Sequence, residues 1–574
     1  MDKNFVIAMV LMILVFVVWS SMFAPKPDEE AALDGTEMEA TETPAEAPAE
    51  TPETSPTPAV AKKEPVIDPE TGEAIEEPEP ELPYDPTGPV NIQTVSVQTP
   101  LYTAEMTNDG AVVTSWRLKK YMDKTGPDGK PYDMVWTANS GLYALTTGFK
   151  GPDVNLATDA DYELVGNDGN NVVFRRVTDQ GLEVTKSFEF SHDAYLVNLT
   201  YSFRNLSKQT LQGQAQVYSY VPVFESKGGL FKPQIRNDNQ LAYIDDKLQK
   251  EQTTKARTEI EESQTKSMEF HGTSLEWAGF DSIYFLQAIA PGDPRNNKLI
   301  AVAPATEKLA NVVTAFNKIL SPGETAEFHY ACYFGPKEEN ALAAAGHKFD
   351  YGLDYGTFNA IARWLVSTLN FFYKYLHNYG LAIILMTALI KLVLLPLTQK
   401  SYKSMKSMQK LQPEMKELRE KYKDDRDTLN QKMMELYRKH KVNPASGCFP
   451  ILLQLPIFFA FYRALYSSIE LRHTPFFGWI QDLSAPDPYY ITPILMGVSM
   501  FVTQKMTPSA GDPMQQKIMM ALPIVFTFMF LNFPSGLVIY WLVNNILTIF
   551  QQLYINRKTD DDEPAQLATA KGKK

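Results

Sequence analysis

The segment LAIILMTALIKLVLLPLT, residues 381–398, is an apolar run long enough to cross a bilayer, yet it contains Lys391. An ammonium group at the centre of a bilayer costs about 2.5–3.5 kcal/mol on insertion scales. A lysine at this depth therefore needs water, a hydrogen-bond partner or a route to the interface. The segment predicts a helical membrane protein and makes Lys391 a candidate functional residue.

Other apolar segments predict that the chain crosses the membrane six times. The first is a segment at 1–23, for which an uncleaved signal anchor is favoured over a signal peptide because no clear small-x-small cleavage site follows it. The later spans lie at about 379–398, 447–468, 491–506, 517–532 and 534–555. A bilayer core of about 30 Å requires about 20 helical residues, so the shorter spans imply a locally thinned membrane.

The distribution of basic residues predicts the orientation of these spans. Loop 399–446 contains 13 Lys and Arg residues, whereas loop 469–490 contains only Arg472. The positive-inside rule places the first loop in the cytoplasm and the second outside. Both termini, including the tail at 559–574, are then cytoplasmic, and the segment between the first two spans is exported.

The exported segment divides into a linker and a domain. Residues 24–90 contain 19 acidic residues, three lysines and 14 prolines, which predicts a disordered tether. This tether accounts for the net charge of −14 of the whole chain. Residues 91–345 show alternating apolar and polar positions, for example Val197, Leu199, Tyr201 and Phe203, and predict an all-β sandwich.

Two amphipathic segments flank the second span. Residues 357–377 predict a helix lying in the membrane interface; the alternative is that this segment is the last helix of the exported domain. Residues 399–446 predict a cytoplasmic helical hairpin in which Asp424 or Asp425 caps the second helix. The basic hairpin leaves two kinds of partner open. One is anionic lipid, and the other is a ribosome or nucleic acid.

Polar residues recur inside the spans, but Asp and Glu do not. Thr387 lies one turn before Lys391, Gln454 lies in the third span, and Tyr540 and Asn544 share a face of the last. A hydrated cavity around Lys391 would explain this pattern. The alternative is that Lys391 snorkels to the cytoplasmic interface, about 12 Å away along the helix.

The sequence lacks the patterns of common catalytic chemistry. It has two cysteines, Cys332 and Cys448, seven scattered histidines, and no Walker A, GxGxxG, GxSxG or HExxH motif. We therefore expect no enzymatic activity, cofactor or metal. A secondary transporter or channel for a small anion remains an alternative function, although the inverted repeats of such transporters are not detectable in the sequence.

Four long motifs carry a family resemblance. NYGLAIILMTALIKLVLLPLTQKSYKSMKSMQKLQPEM (378–415) and VNPASGCFPILLQLPIFFAFYRAL (442–465), with the stretches at 482–506 and 512–541, resemble the YidC membrane protein insertase family of bacteria, mitochondria and chloroplasts. The order of anchor, acidic linker and β domain is similar to the Gram-negative form, whose periplasmic domain has a β-supersandwich fold.

The resemblance implies a function, a location and partners. It implies an insertase of the bacterial inner membrane, acting alone or with the Sec translocon and its accessory subunits on nascent membrane proteins, without a nucleotide. It also suggests ribosome and signal-recognition contacts through the hairpin and tail.

The resemblance further implies a five-helix core with a hydrophilic groove. Lys391 stands where the family usually has arginine, which keeps the charge but loses the planar five-donor fork. Thr387, Tyr540 and Trp541 match groove positions of the family.

Overall fold

A computed structural model describes residues 91–223, 238–423, 425–440, 442, 449–506 and 513–571. The predicted signal anchor and acidic linker lie outside the described residues, as do residues 572–574. In the described ranges a β domain is followed by a helical region.

The β domain contains twenty strands in its described part. Their bounds are β1 Thr94–Gln98, β2 Tyr102–Thr107, β3 Val112–Met122, β4 Pro131–Asp133, β5 Thr146–Lys150, β6 Asn155–Leu156, β7 Glu163–Asn167, β8 Asn171–Val177, β9 Leu182–Phe190, β10 Leu196–Asn205, β11 Leu211–Pro222, β12 Asn239–Ile244, β13 Lys247–Gln252, β14 Ser267–Phe270, β15 Leu275–Asp281, β16 Phe285–Pro291, β17 Asn297–Val302, β18 Lys308–Ala315, β19 Lys318–Leu320 and β20 Thr325–Pro336.

These strands form antiparallel sheets that pack face to face. A nine-stranded sheet has the order β13-β12-β15-β16-β20-β10-β9-β8-β7, and a second has the order β14-β17-β18-β11-β5-β6, with β19 beside β11. Phe149 of the second sheet meets Phe203 of the first with ring centroids 4.5 Å apart. A smaller sheet, β1-β2-β3-β4, packs on the nine-stranded sheet through Trp116, whose ring lies 5.2 Å from Phe334. The prediction of an all-β sandwich is confirmed.

Apolar residues at alternate positions of β10 contribute one face of this strand to the hydrophobic core. Val197, Leu199, Tyr201 and Phe203 are all buried, as their spacing predicts, because successive side chains of a strand point to opposite faces. The same strand pairs with β20 in a register that places Leu196 opposite Tyr333.

Two lysines are buried in the β domain, and they are bound differently. Lys186 on β9 donates to the carbonyl of Gly110 at 2.5 Å, and its Nζ lies 4.2 Å from the centre of the Tyr162 ring. Lys337, just after β20, forms an ion pair of 2.8 Å with the buried Asp281.

Ten α-helices occur in the described residues. Their bounds are α1 Thr253–Glu262, α2 Glu339–Ala345, α3 Asn359–Leu376, α4 Tyr379–Lys410, α5 Gln412–Lys421, α6 Arg426–Lys439, α7 Phe449–Ser467, α8 Ile491–Met506, α9 Pro513–Phe530 and α10 Ser535–Lys571.

Helix α10 is central to the packing of the helical region. It contacts α4, α7 and α8, while α9 packs on α8 and α3 packs on α4 and α7. By length and hydropathy, 379–408 and 535–555 are the two helical stretches of the described chain that could cross a bilayer, and a shorter apolar helix covers 520–530. The coarse prediction of a helical carboxyl-terminal region is confirmed, and the six-span arrangement stays a prediction.

The predicted amphipathic segments are helical. Helix α3 buries Ala362, Leu365 and Leu369 and exposes Trp364 and Phe371.

Beyond α3, helix α4 continues to Lys410, past the predicted span end at 398, so only α5 and α6 form a separate helical pair. Asp425 caps α6 by accepting a hydrogen bond of 3.0 Å from the backbone N–H of Thr428.

Residues of the 469–490 loop attach the helical region to the β domain. The Arg472 guanidinium lies 5.4 Å from the ring centres of Tyr132 and Phe285 and 5.9 Å from that of Tyr284, and it donates to the backbone carbonyl of Asp123 at 3.3 Å. This set of three rings is termed the aromatic cage.

Glu470 lies two residues before Arg472 at the same junction. It approaches the Asn370 side chain on α3, and the charges of Glu338 and Lys120 in the β domain act on it. Glu338 in turn accepts a hydrogen bond of 3.0 Å from the Tyr121 hydroxyl. A second carboxylate therefore lies close to Glu470 from the side of the β domain.

Candidate functional site

Lys391 lies deep along α4, twelve residues after its first residue Tyr379 and about 18 Å along the helix axis. Its side chain is partly buried, and its Nζ donates a hydrogen bond of 2.7 Å to Oγ1 of Thr548 on α10. The two residues are 157 positions apart in the sequence, and their bond joins α4 to α10.

The Thr548 hydroxyl has a fixed direction. It donates its only proton to the backbone carbonyl of Asn544, one turn earlier on α10, at 2.7 Å. The lone pairs of its oxygen therefore accept the hydrogen bond from Lys391, so the ammonium is bound by an oxygen without formal charge.

Thr387 also lies on α4, one turn before Lys391. It is 1 % exposed, and its hydroxyl donates to the Ile383 carbonyl of its own helix at 2.6 Å. This bond satisfies the hydroxyl within α4, so Thr387 contributes a small buried polar group beside Lys391.

Gln454 and Tyr540 form a second polar group, between α7 and α10. The Tyr540 side chain is buried, its ring centre lies 4.4 Å from that of Phe461, and the Gln454 side chain approaches its hydroxyl. The ring thus packs against an apolar wall while its oxygen meets a polar partner.

Trp541 lies on α10 next to Tyr540 but among different neighbours. Its ring centre lies 4.7 Å from that of Phe458 on α7, and 5.8 and 5.2 Å from those of Phe526 and Phe530 on α9. This aromatic cluster ties three helices together.

Comparison with protein families accounts for both parts of the molecule. Residues 94–368 match the family model described as the YidC periplasmic domain, and residues 371–562 match that of the 60Kd inner membrane protein. Curated relatives cover nearly the full length: a membrane protein insertase YidC from Geobacter metallireducens is 41 % identical over 571 residues, which is 97 % of this chain and 98 % of the relative.

The chain belongs to the YidC membrane protein insertase family.

A second curated membrane protein insertase YidC shows a similar level of identity to this chain. This relative, from Geotalea uraniireducens, is 39 % identical over 565 residues, covering 97 % of this chain and 99 % of the relative. Among solved structures, an active YidC insertase with its first transmembrane domain resolved matches 80 % of this chain and 93 % of its own, at 17 % identity and a TM-score of 0.34. The alternative of a small-anion transporter receives no support from these relatives.

Within this member of the family, the predicted site residues fall into separate groups. Lys391 bonds to Thr548 near Asn544, whose carbonyl completes the chain of hydrogen bonds. Gln454 joins Tyr540, while Trp541 belongs to the aromatic cluster.

Sequence reasoning missed the residues that bind α4 to α10 beyond Lys391, towards the carboxyl-terminal end of α4. Thr398 accepts a hydrogen bond of 2.7 Å from the buried Gln551, and the Tyr402 hydroxyl approaches Gln552. We term these two contacts, with the bond from Lys391 to Thr548, the polar seam.

A signal for the polar seam exists in the sequence. Polar residues of α10 recur at 544, 548, 551 and 552, at spacings of three or four that place them along one side of a helix. The spacing predicts a polar stripe, although it cannot identify the partner helix.

Proposed function

We propose that this protein is a membrane protein insertase that uses the positive charge of Lys391 to admit short exported segments of its substrates into the bilayer. Membership of the YidC family supports the activity. The observation that carries the role of Lys391 is its hydrogen bond to the neutral hydroxyl of Thr548. Helices 379–410, 449–467, 491–506 and 513–530 and the apolar part of α10 at 535–555 contain no Asp or Glu.

A positive charge without a countercharge suits acidic or polar peptide segments. Moving a polar segment from water to an apolar medium is unfavourable unless hydrogen bonds or charges compensate it. The ammonium of Lys391 supplies such compensation in the proposed groove, together with Thr387, Gln454, Tyr540, Trp541 and Asn544. Two like-charged groups would repel, so a basic exported segment should insert less readily.

The apolar part of the substrate supplies the driving force. Burial of each CH₂ group contributes about 0.8 kcal/mol, so a span of about 20 apolar residues needs no nucleotide once its polar end has entered. We therefore propose an ATP-independent insertase without a cofactor.

The proposed arrangement in the cell follows from the charge distribution. The chain crosses the bacterial inner membrane six times with both termini in the cytoplasm and the β domain in the periplasm. Nascent membrane proteins are the substrates, the Sec translocon is a partner, and the basic segment 399–446 faces anionic lipid and the ribosome with its signal-recognition machinery.

Substitutions of Lys391 test the proposed role. Purified full-length protein is reconstituted in liposomes, and insertion of a single-span substrate with a short acidic exported segment is measured by protection from protease. We expect wild type and Lys391→Arg to insert it without ATP, Lys391→Ala to be impaired, and Lys391→Glu to lose about tenfold or more, since its charge repels the segment.

The outcomes separate the activity from the role of the charge. Equal insertion by all four proteins would retain the insertase and reject the role of the positive charge. Failure of the wild type, or a strict need for ATP, would reject the proposed function itself.

A further inference from the structure

We infer that Thr548 is the positioning residue of the proposed groove: it holds the Lys391 ammonium where an acidic substrate segment meets it. This inference rests on the proposed function. Its basis is the pair of 2.7 Å hydrogen bonds that run from Lys391 to the Thr548 hydroxyl and from that hydroxyl to the Asn544 carbonyl.

The direction of these hydrogen bonds makes Thr548 a suitable acceptor. A lysine ammonium has three donors and no acceptor, whereas a hydroxyl can donate one proton and accept at its lone pairs. Because the Asn544 carbonyl takes the hydroxyl proton, the oxygen presents its lone pairs to Lys391. Chains of hydrogen bonds polarise one another, which strengthens this acceptor.

A neutral acceptor leaves the charge of the lysine available. The buried Lys337 of the β domain is paired with Asp281 at 2.8 Å, and that carboxylate cancels its charge. Thr548 orients Lys391 without cancelling its charge, so the field of the ammonium extends to a second, acidic ligand. A carboxylate at position 548 would remove this property.

The polar seam fixes the distance between the two residues. Gln551 lies one turn after Thr548 on α10, and its amide donates to Thr398 at 2.7 Å, with both side chains buried. This second bond between α4 and α10 holds Thr548 within reach of Lys391. A flexible lysine side chain with four methylene groups otherwise samples many rotamers, and an anchored ammonium samples few.

A set of threonine variants tests the inference in proteoliposomes containing the full-length protein. Thr548→Val keeps the shape and removes the acceptor, while Thr548→Ser keeps the hydroxyl. Thr527→Val is the matched control, because Thr527 on α9 likewise donates to the carbonyl one turn earlier, that of Pro523, at 2.7 Å.

Two single-span substrates are compared. They are identical except that Asp and Glu in the exported segment of one are replaced by Asn and Gln in the other. We expect Thr548→Val to lower the insertion rate of the acidic substrate about tenfold and to change that of the neutral substrate little. Thr548→Ser and Thr527→Val should insert both substrates like wild type.

A double variant separates positioning from a general packing defect. In a Lys391→Ala background, Thr548→Val should cause no further loss, because there is no ammonium left to position. Equal losses for both substrates, multiplying losses in the double variant, or no loss in Thr548→Val would overturn the inference. Wild-type insertion by Lys391→Ala alone would instead reject the role proposed for the Lys391 charge.

Discussion

Lys186 and Lys391 both lie in largely apolar surroundings, and each donates to an oxygen without formal charge. Lys186 bonds to the Gly110 carbonyl beneath the Tyr162 ring, and Lys391 bonds to the Thr548 hydroxyl. Burial holds the pKa of Lys186 well below its ordinary value because no carboxylate opposes the desolvation. A neutral acceptor takes one N–H group of a lysine and leaves its charge state dependent on the surroundings.

The buried carboxyl of Glu470 leads to a prediction about how stability depends on pH. Burial raises the pKa of its carboxyl above the ordinary value of 4.5, and the nearby Glu338 carboxylate adds to the rise, while Asn370 and Lys120 oppose it. Tyr121, Tyr355 and Tyr379 complete its surroundings.

The sign follows from linkage. A carboxyl whose pKa is raised in the folded protein binds its proton more tightly there than in the unfolded chain, so its ionisation destabilises the fold. This cost is present above the raised pKa and disappears as the pH falls towards 4.5. Glu470→Gln should therefore unfold at a higher temperature than wild type at pH 8, and the two melting temperatures should converge by about pH 5.

The measurement is the thermal unfolding midpoint of the full-length protein in detergent between pH 5 and pH 8. Other titrating groups affect wild type and variant alike, so the difference between them isolates Glu470. A difference that stays constant over this range would contradict the predicted effect.

At the scale of elements, local sequence patterns found most strands and helices but not their neighbours. The alternation on β10 is visible in the sequence, whereas its pairing with β20 joins residues more than 100 positions apart. Period-two patterning reports which face of a strand is buried, and it contains no information on the adjacent strand. The same limit applies to α4 and α10, whose polar stripes were predictable but whose contact was not.

The length of α4 shows a second limit. Hydropathy predicts a span ending at 398, but the helix continues to Lys410. The residues beyond 398 include good helix formers, such as Gln, Lys and Met, and the contact of Tyr402 with Gln552 holds the helix against α10 beyond this point. A change in hydropathy marks the edge of the apolar region, and the helix ends only where its packing and propensity end.

The close packing at the beginning of α4 leads to a prediction about stability. Gly380 lies so close to the Phe476 ring that an added Cβ would come within 1.9 Å of it. Gly380→Ala should therefore push α4 away from the 469–490 loop, at a cost of about 1–3 kcal/mol. The thermal unfolding midpoint of the purified protein should fall accordingly.

The matched control is Gly166→Ala, since a Cβ there would make only ordinary contacts of 3.6 Å with Val173. It should melt within about 1 °C of wild type, because surface substitutions usually change stability by less than 0.5 kcal/mol. A Gly380→Ala protein as stable as this control would show that the Phe476 ring moves aside freely.

The arrangement of the whole molecule, with six membrane spans, is a prediction that can be tested directly. Reporter domains inserted after Lys423 and after Gly478 test it, because the positive-inside rule places the two loops on opposite sides. We expect alkaline phosphatase to be active only at the second position and a cytoplasmic fluorescent reporter only at the first. A reporter after residue 345, at the end of the β domain, serves as the external control.

Phosphatase activity after Lys423 would invert the arrangement. Activity at both positions would indicate that some chains insert in either orientation.

The division into a β domain and a helical region could be predicted from the sequence, because hydropathy and alternation change within a few residues near position 345. The contact between them could not, since Arg472 meets the aromatic cage through residues far apart in the chain.

The aromatic cage has a consequence for how this insertase is itself made. Residues 132, 284 and 285 are synthesised long before Arg472, so in the proposed arrangement the cage is already outside when the 469–490 loop crosses. Arg472 is the only Lys or Arg of that loop, and capture under the three rings gives its passage a favourable last step that disfavours return. A reporter after Gly478 should accordingly be exported less completely when Tyr132 and Phe285 are both replaced by alanine. That result would show that the folded β domain binds the 469–490 loop and so assists its export.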